Sequence, residues 1–136
     1  MLKSAQMGKE IVVTVVNKIG VLADISKILA DHGLNILAIA GYAAENNTAK
    51  IMVICDDNLR AGDALRKAGY NSNKESEVVI VSLENRTGAM KFVANKLASE
   101  GIDIKHIYGT TCPGECPARI VLSTSDNEKA LVAFNK

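Results

Sequence analysis

Two groups of residues in this chain have types and spacings that could do chemistry. The first is the run Asn17-Lys18-Ile19-Gly20-Val21-Leu22, which lies where a strand ends and an amphipathic helix begins. A loop that opens a helix presents unpaired backbone N–H groups and the positive end of the helix dipole, a suitable seat for a carboxylate. Gly20 lets the backbone come close to a ligand. Asn17, with Asn35 further on, offers both donors and acceptors, as the two charged groups of an α-amino acid require. The second group is Cys112-Pro-Gly-Glu-Cys116, a C-x₃-C pair that raises metal or redox readings. Metal sites need more ligands than that spacing supplies, and Cys55, His32 and His106 fall on other elements, so the pair reads as flanking a Pro-Gly hairpin tip. His106 reads as structural. No nucleophile elbow, phosphate loop or repeated His/Cys/Asp grouping supports catalysis, so catalytic residues, metal and cofactor are all expected to be none.

The first group occurs twice. At a shift of 68 residues Asn17 meets Asn85, Gly20 meets Gly88, Leu29 meets Leu97, Gly33 meets Gly101, Ile36 meets Ile104 and Gly41 meets Gly109. Unrelated segments would agree at only about one or two of the twenty positions from Asn17 to Ile36, so the chain holds an internal repeat. Each 68-residue unit is small enough to bury only about 60% of its unfolded surface, which favours pairing of units or of chains.

The elements that would position these loops follow from periodicity. Glu10 to Val16 is a β-branched run that reads as a strand, and Val21 to His32 carries Leu22, Ile25, Ile28 and Leu29 at helical spacing, stopped by Gly33. Leu34 to Ala43 and Ala49 to Cys55 read as a hairpin about the turn Glu45-Asn46-Asn47-Thr48. Asp56-Asp57-Asn58 caps a helix from Leu59 to Ala68, and Tyr70 to Lys74 supplies only a short fourth strand. Glu77 to Leu83, Thr87 to Glu100, Ile102 to Thr110 and Ala118 to Thr124 repeat the order. One residue inserted at the second hairpin tip raises the offset to 69, so that Asp57 meets Asp126 and Asn58 meets Asn127. The resulting fold class is α+β: two ferredoxin-like βαββαβ repeats with antiparallel sheets and helices on one face, over residues 10–74 and 77–136. The second repeat reaches Lys136, the counterpart of Lys67, without its last strand. That sheet edge is left open, is covered by the N-terminal residues, is completed by a partner, or has its strand beyond Lys136.

The strand, the Asn17-Lys18-Ile19-Gly20-Val21-Leu22 loop, the helix and Gly33-Leu34-Asn35-Ile36 together resemble the tandem ACT-domain proteins, free-standing regulatory proteins that bind amino acids. The resemblance covers Glu10 to Lys136. It implies that two domains pack side by side and hold a small ligand between the strand-helix loop of one and the start of the second strand of the other. Asn17, Ile19, Gly20, Val21 and Leu22 would then form one wall, with Asn35 and Ile36 facing it from the neighbouring domain. The second copy supplies a weaker site from Asn85, Gly88, Ala89, Met90 and Asp103. There Thr87 replaces Ile19, and the carboxylate of Asp103, which replaces Asn35, suits a ligand ammonium but repels a ligand carboxylate. Each feature also has a plainer reading. Gly20 and Gly88 could be turn glycines alone, and Asn17 and Asn85 could cap their turns.

Composition narrows the partners. Sixteen Lys plus Arg against fifteen Asp plus Glu leave a net charge of +1, no basis for nucleic acid or a membrane surface. RNA-binding modules with this strand order need stacking aromatics on the sheet, and the chain has two Phe, three Tyr and no Trp. No apolar run approaches the ~20 residues of a membrane helix, and Met1 to Lys9 lacks the apolar centre of a signal peptide. Three cysteines, an odd number, fit a reducing compartment better than a disulfide framework, so a cytoplasmic location is expected. The sequence thus points to a non-catalytic regulatory protein that binds a small molecule, an amino acid in the first instance, as a homodimer or higher even oligomer, with an enzyme or regulatory protein as a further partner. The alternatives are an interaction or oligomerisation module without ligand, and a metal or redox protein built on Cys112 and Cys116.

Overall fold

The computed structural model describes all residues, Met1–Lys136, as six strands and four helices: β1 (Leu2–Val16), α1 (Val21–Asp31), β2 (Ile36–Ala43), β3 (Thr48–Cys55), α2 (Asn58–Lys67), β4 (Asn73–Leu83), α3 (Ala89–Ser99), β5 (Ile104–Thr110), β6 (Ala118–Thr124) and α4 (Asn127–Phe134). The fold is α+β with antiparallel strands. The chain divides into two compact units, Lys9–Ser76 and Met1–Gly8 with Glu77–Lys136.

In the first unit the strand order is β2-β3-β1-β4, with the C-terminal half of β1 and the first residues of β4 taking part. Ile11 to Val16 lie opposite Val53 to Thr48, and Thr14 N–H donates to Ser72 O at 2.8 Å. Because side chains alternate along a strand, Ile11, Val13 and Val15 fall on one face, where they meet Ile25 and Leu29 of α1 and Ala61 and Leu65 of α2 in a continuous core. Each large side chain fully buried there stabilises the unit by about 1.5–3 kcal/mol. The hairpin between β2 and β3 closes through Asn46 and Asn47, both at φ 58, the left-handed pair that a tight two-residue turn requires.

The second unit orders its strands β1-β4-β6-β5, using the N-terminal half of β1. Val79, Val81 and Leu83 pack with Val93 and Leu97 of α3 and Ala130 and Phe134 of α4. The sheet edge that the sequence left with four possible fates is covered by the N-terminal segment. Met1 O accepts from Glu84 N–H at 2.8 Å, and Met1, Leu2, Ala5 and Met7 pack on the core of this unit. Two element boundaries change with it. The strand over Glu10 to Val16 begins at Leu2, and the short fourth strand at Tyr70 to Lys74 is the start of β4, which runs on through the strand over Glu77 to Leu83. The reason is physical continuity: neither Gly8 nor the polar stretch Asn73–Ser76 breaks an extended backbone that finds hydrogen-bond partners on its side.

One cysteine reading is corrected. The odd count points away from disulfides, yet Cys112 and Cys116 are bonded, with their Cα atoms 5.5 Å apart. The Pro-Gly turn between them reverses the chain and brings both within bonding range, so the bridge is a local staple and not a framework. Cys55 stays free and buried.

Candidate ligand-binding site

The first loop is built by the end of β1 and the start of α1. Asn17 N–H donates to Asn47 O of the hairpin turn at 2.8 Å, which ties the loop to the tip between β2 and β3. Gly20 is the N-cap of α1 at φ 91, ψ −3, a left-handed conformation, with no side-chain cap. Only glycine adopts it cheaply. A Cβ placed there would meet no atom within 4 Å, so the backbone faces open space. Val21 N–H reaches Lys18 O at 3.3 Å and Asp24 N–H reaches Gly20 O at 3.0 Å, while the remaining N–H groups of the first turn have no intrahelical acceptor. Val21 is buried in the core and anchors the loop, whereas Asn17, Ile19 and Leu22 project outward, Ile19 wholly exposed and Leu22 about half.

Asn35 and Ile36 open β2, an edge strand. Asn35 N–H donates to Asp56 Oδ1 at 3.1 Å and Asp56 N–H donates back to Asn35 O at 3.1 Å, so the backbone is clamped and the carboxamide is left exposed. The same edge shows Leu37, Ile39 and Tyr42 to solvent, next in sequence to a bulge between Ile36 and Ala38. The structure therefore holds Asn17, Ile19, Gly20, Val21 and Leu22 together as one loop and carries Asn35 and Ile36 on a separate strand edge, with apolar exposure at both places.

In the second unit the same backbone recurs with different surroundings. Gly88 caps α3 at φ 90, ψ −3, Ala89 is buried where Val21 is, and Met90 is 42% exposed. α3 begins at Ala89, not Thr87, because the left-handed Gly88 breaks the helical run. Here the loop is already engaged. Asn85 Nδ2 donates to Cys112 O at 2.8 Å and to Gly114 O at 2.9 Å, whereas the side chain of Asn17 has no partner in the protein. A Cβ on Gly88 would come within 3.4 Å of Met1 Cε, and Arg86 Nε lies 3.3 Å from Met1 Sδ. Asp103 pairs with Lys105 Nζ at 3.2 Å, and its N–H donates to Ser125 Oγ. The terminal ammonium of Met1 and Arg86 hold the Glu84 carboxyl below its usual range.

Residues that periodicity did not single out complete the frame. Tyr70 donates its hydroxyl to Asp24 in the first turn of α1, a short bond that pushes the phenol up to about 12, with burial adding to the rise. Asn58 accepts from Cys55 N–H at 2.9 Å and donates to Lys9 O at 2.9 Å, and Asn127 does the same between Thr124 N–H at 3.0 Å and Glu77 O at 2.9 Å. The match of Asn58 with Asn127 at an offset of 69 is the signal that could have revealed this pair. A groove of about 420 Å³ lies elsewhere, lined by Thr14, Lys50, Ser72 and Lys74, and contains none of the loop residues. No three His, Cys, Asp or Glu side chains lie together as a metal cage, and no helix is long and apolar enough to cross a membrane.

Residues 9–69 match the model of the ACT domain family. No curated protein matches the chain. Among solved structures it is similar to a protein of Bacteroides thetaiotaomicron at 24% identity, over 96% of this chain and 88% of that one, with a TM-score of 0.87. It is also similar to the ligand-free regulatory subunit of aspartate kinase from Thermus thermophilus at 15% identity, over 98% and 96% of the two chains, with a TM-score of 0.67. Aspartate kinase from Clostridium acetobutylicum matches at 14% identity over 99% of this chain and 34% of its own, with a TM-score of 0.54. At these identities the likeness is one of fold.

Proposed function

We propose that this chain is a non-catalytic regulatory protein with two ACT-like domains that binds an amino acid at its first loop. The observation that carries the reading is the loop itself: a left-handed Gly20 with open space over it, at the N-terminus of α1, flanked by the free carboxamide of Asn17 and the exposed Ile19 and Leu22. The helix N-terminus takes the ligand carboxylate. The apolar side chains give its side chain somewhere to lie. Asn35 and Ile36, on the β2 edge of a second copy of the chain, close the site and supply acceptors for the ammonium group, so the site is half-built in one chain and completed in a homodimer or higher even oligomer. The match of residues 9–69 to the ACT domain supports a regulatory role, as does the likeness in fold to a regulatory subunit of aspartate kinase.

The second loop serves as the weaker site, since its Asn85 is engaged and Met1 lies against Gly88. Thermal denaturation of the full chain in the presence of each of the twenty amino acids tests the reading. One or a few should raise the melting temperature in a concentration-dependent way, as a ligand that binds only the folded state must. No response to any of them would leave the exposed edges as oligomerisation surfaces without a ligand.

A further inference from the structure

We infer that Cys112 and Cys116 form a redox-active site whose state sets the conformation of the second loop. This rests, for its consequence on ligand binding, on the amino-acid reading above. The two units build the same loop beside the same hairpin but fasten them differently. In the first, a backbone N–H of Asn17 reaches Asn47 O, and the Asn17 carboxamide is left free. In the second, the hairpin tip is one residue longer and is closed by the disulfide, and its carbonyls at Cys112 and Gly114 converge on the carboxamide of Asn85. Thr111 Oγ1 also donates to Cys116 O at 3.1 Å across the ring. The ring is five residues from cysteine to cysteine, so the positions of both acceptor carbonyls depend on its closure. When it opens, Asn85 loses the fixed pair of acceptors and takes the free state of Asn17.

The chemistry is accessible to an external dithiol. Cys116 is exposed and Cys112 half-buried, so a thiolate of a dithiol reductant attacks Cys116 Sγ. A mixed disulfide forms, the Cys112–Cys116 bond breaks, and Cys112 leaves as a thiolate that takes a proton from water. The second thiol of the reductant then displaces Cys116, also released as a thiol. Two electrons and two protons pass to the protein and the reductant becomes a cyclic disulfide. Cys55 takes no part, because it is buried, and burial raises its thiol. In a reducing compartment the site is a dithiol; exchange with a small-molecule disulfide, which leaves as two thiols carrying the two electrons and two protons, re-forms the Cys112–Cys116 bond and clamps the second loop.

Nitrogen-15 spectra of the full chain, oxidised with oxidised glutathione and then reduced with dithiothreitol, test the coupling. Reduction should shift the side-chain amide of Asn85 and the backbone amides from Asn85 to Gly88, and leave the Asn17 side chain unmoved. Reduced cysteines with an unmoved Asn85 would overturn the inference. Cys112→Ser with Cys116→Ser should show the reduced spectrum in oxidant and ignore dithiothreitol. Should it fail to fold, Asn85→Ala decides the matter in the native cysteine background: reduction should then leave the amides of Arg86 to Gly88 where they are, and an undiminished shift there would refute the route through Asn85. With each amino acid that stabilises the chain, calorimetry should find a second site per chain on reduction, and an unchanged stoichiometry would break the link to ligand access. Failure of every amino acid to bind in either state removes the functional reading alone, because the spectra decide the redox coupling independently.

Discussion

Gly20→Asp separates the cost of a backbone conformation from the cost of a charge. A Cβ at φ 91 is disfavoured by about 1–2 kcal/mol, but no atom within 4 Å would clash with it, so no packing penalty adds to that figure. For a unit of this size each kcal/mol lowers the melting temperature by about 4–8 °C, and the variant should remain folded at room temperature. Binding should fall far more. A new carboxylate about 4–5 Å from the ligand carboxylate costs roughly 1–4 kcal/mol across water-like to surface-like dielectric, or about 5- to 700-fold in affinity. Calorimetric titration with the amino acid that stabilises the wild type supplies the measurement. Gly20→Asn is the matched control, since asparagine tolerates the left-handed region and adds no charge. Gly88→Asp, at the same backbone angles in the second unit, should lose similar stability and keep first-loop binding. Wild-type affinity in folded Gly20→Asp would refute a carboxylate seat at this helix, and the loop would revert to a turn.

Three further outcomes follow from the geometry. Asn58→Ala and Asn127→Ala should each cost about 1–3 kcal/mol in urea denaturation, because each carboxamide satisfies one backbone donor and one backbone acceptor; a negligible effect at either would show that water replaces the bridge. Alkaline titration by phenolate absorbance should find one phenol ionising near pH 12, absent in Tyr70→Phe. Since the folded value lies above the ordinary one near 10, the Tyr70–Asp24 bond contributes fully below about pH 10, and its contribution is lost as pH rises toward 12. Sedimentation at micromolar concentration should give a dimer or higher even oligomer, and Ile39→Lys on the exposed β2 edge should shift it toward monomer; a wild-type monomer would remove the second half of the proposed site.

The repeat made much of the fold legible. Apolar runs and helical spacing outlined the strands and helices from Glu10 onward because each unit buries one face of its sheet under two helices, and Gly20 marked where the first helix begins, whereas the start of the third, read at Thr87, lies after Gly88. What sequence concealed were partners distant in the chain. Leu2, Ala5 and Met7 are too sparse to announce a strand, and only the open edge beside β4 makes Met1–Gly8 extended. Nothing in Asn17 and Asn85 distinguishes them, yet one carboxamide is free and the other is held by two carbonyls across a disulfide-closed turn. Loop contents were readable; what lies against each loop was not, because Met1 and Gly114 reach it from 84 residues before and 29 residues after Asn85.

The division of β1 at Gly8 also bears on how the protein is made. Lys9–Ser76 is a contiguous stretch that contains all its own elements, so it can close its core while the rest is still being synthesised. The other unit is split around it. Met1–Gly8 is made before its pairing partners from Glu77 onward, which come only after the whole intervening unit, and until then Leu2 and Met7 and a bare strand edge are exposed to solvent and to other nascent chains. On the ribosome, a neighbouring copy of Glu77–Lys136 is as good a template for that strand as the chain's own, which makes exchange of the N-terminal segment between chains the misassembly to look for at high expression.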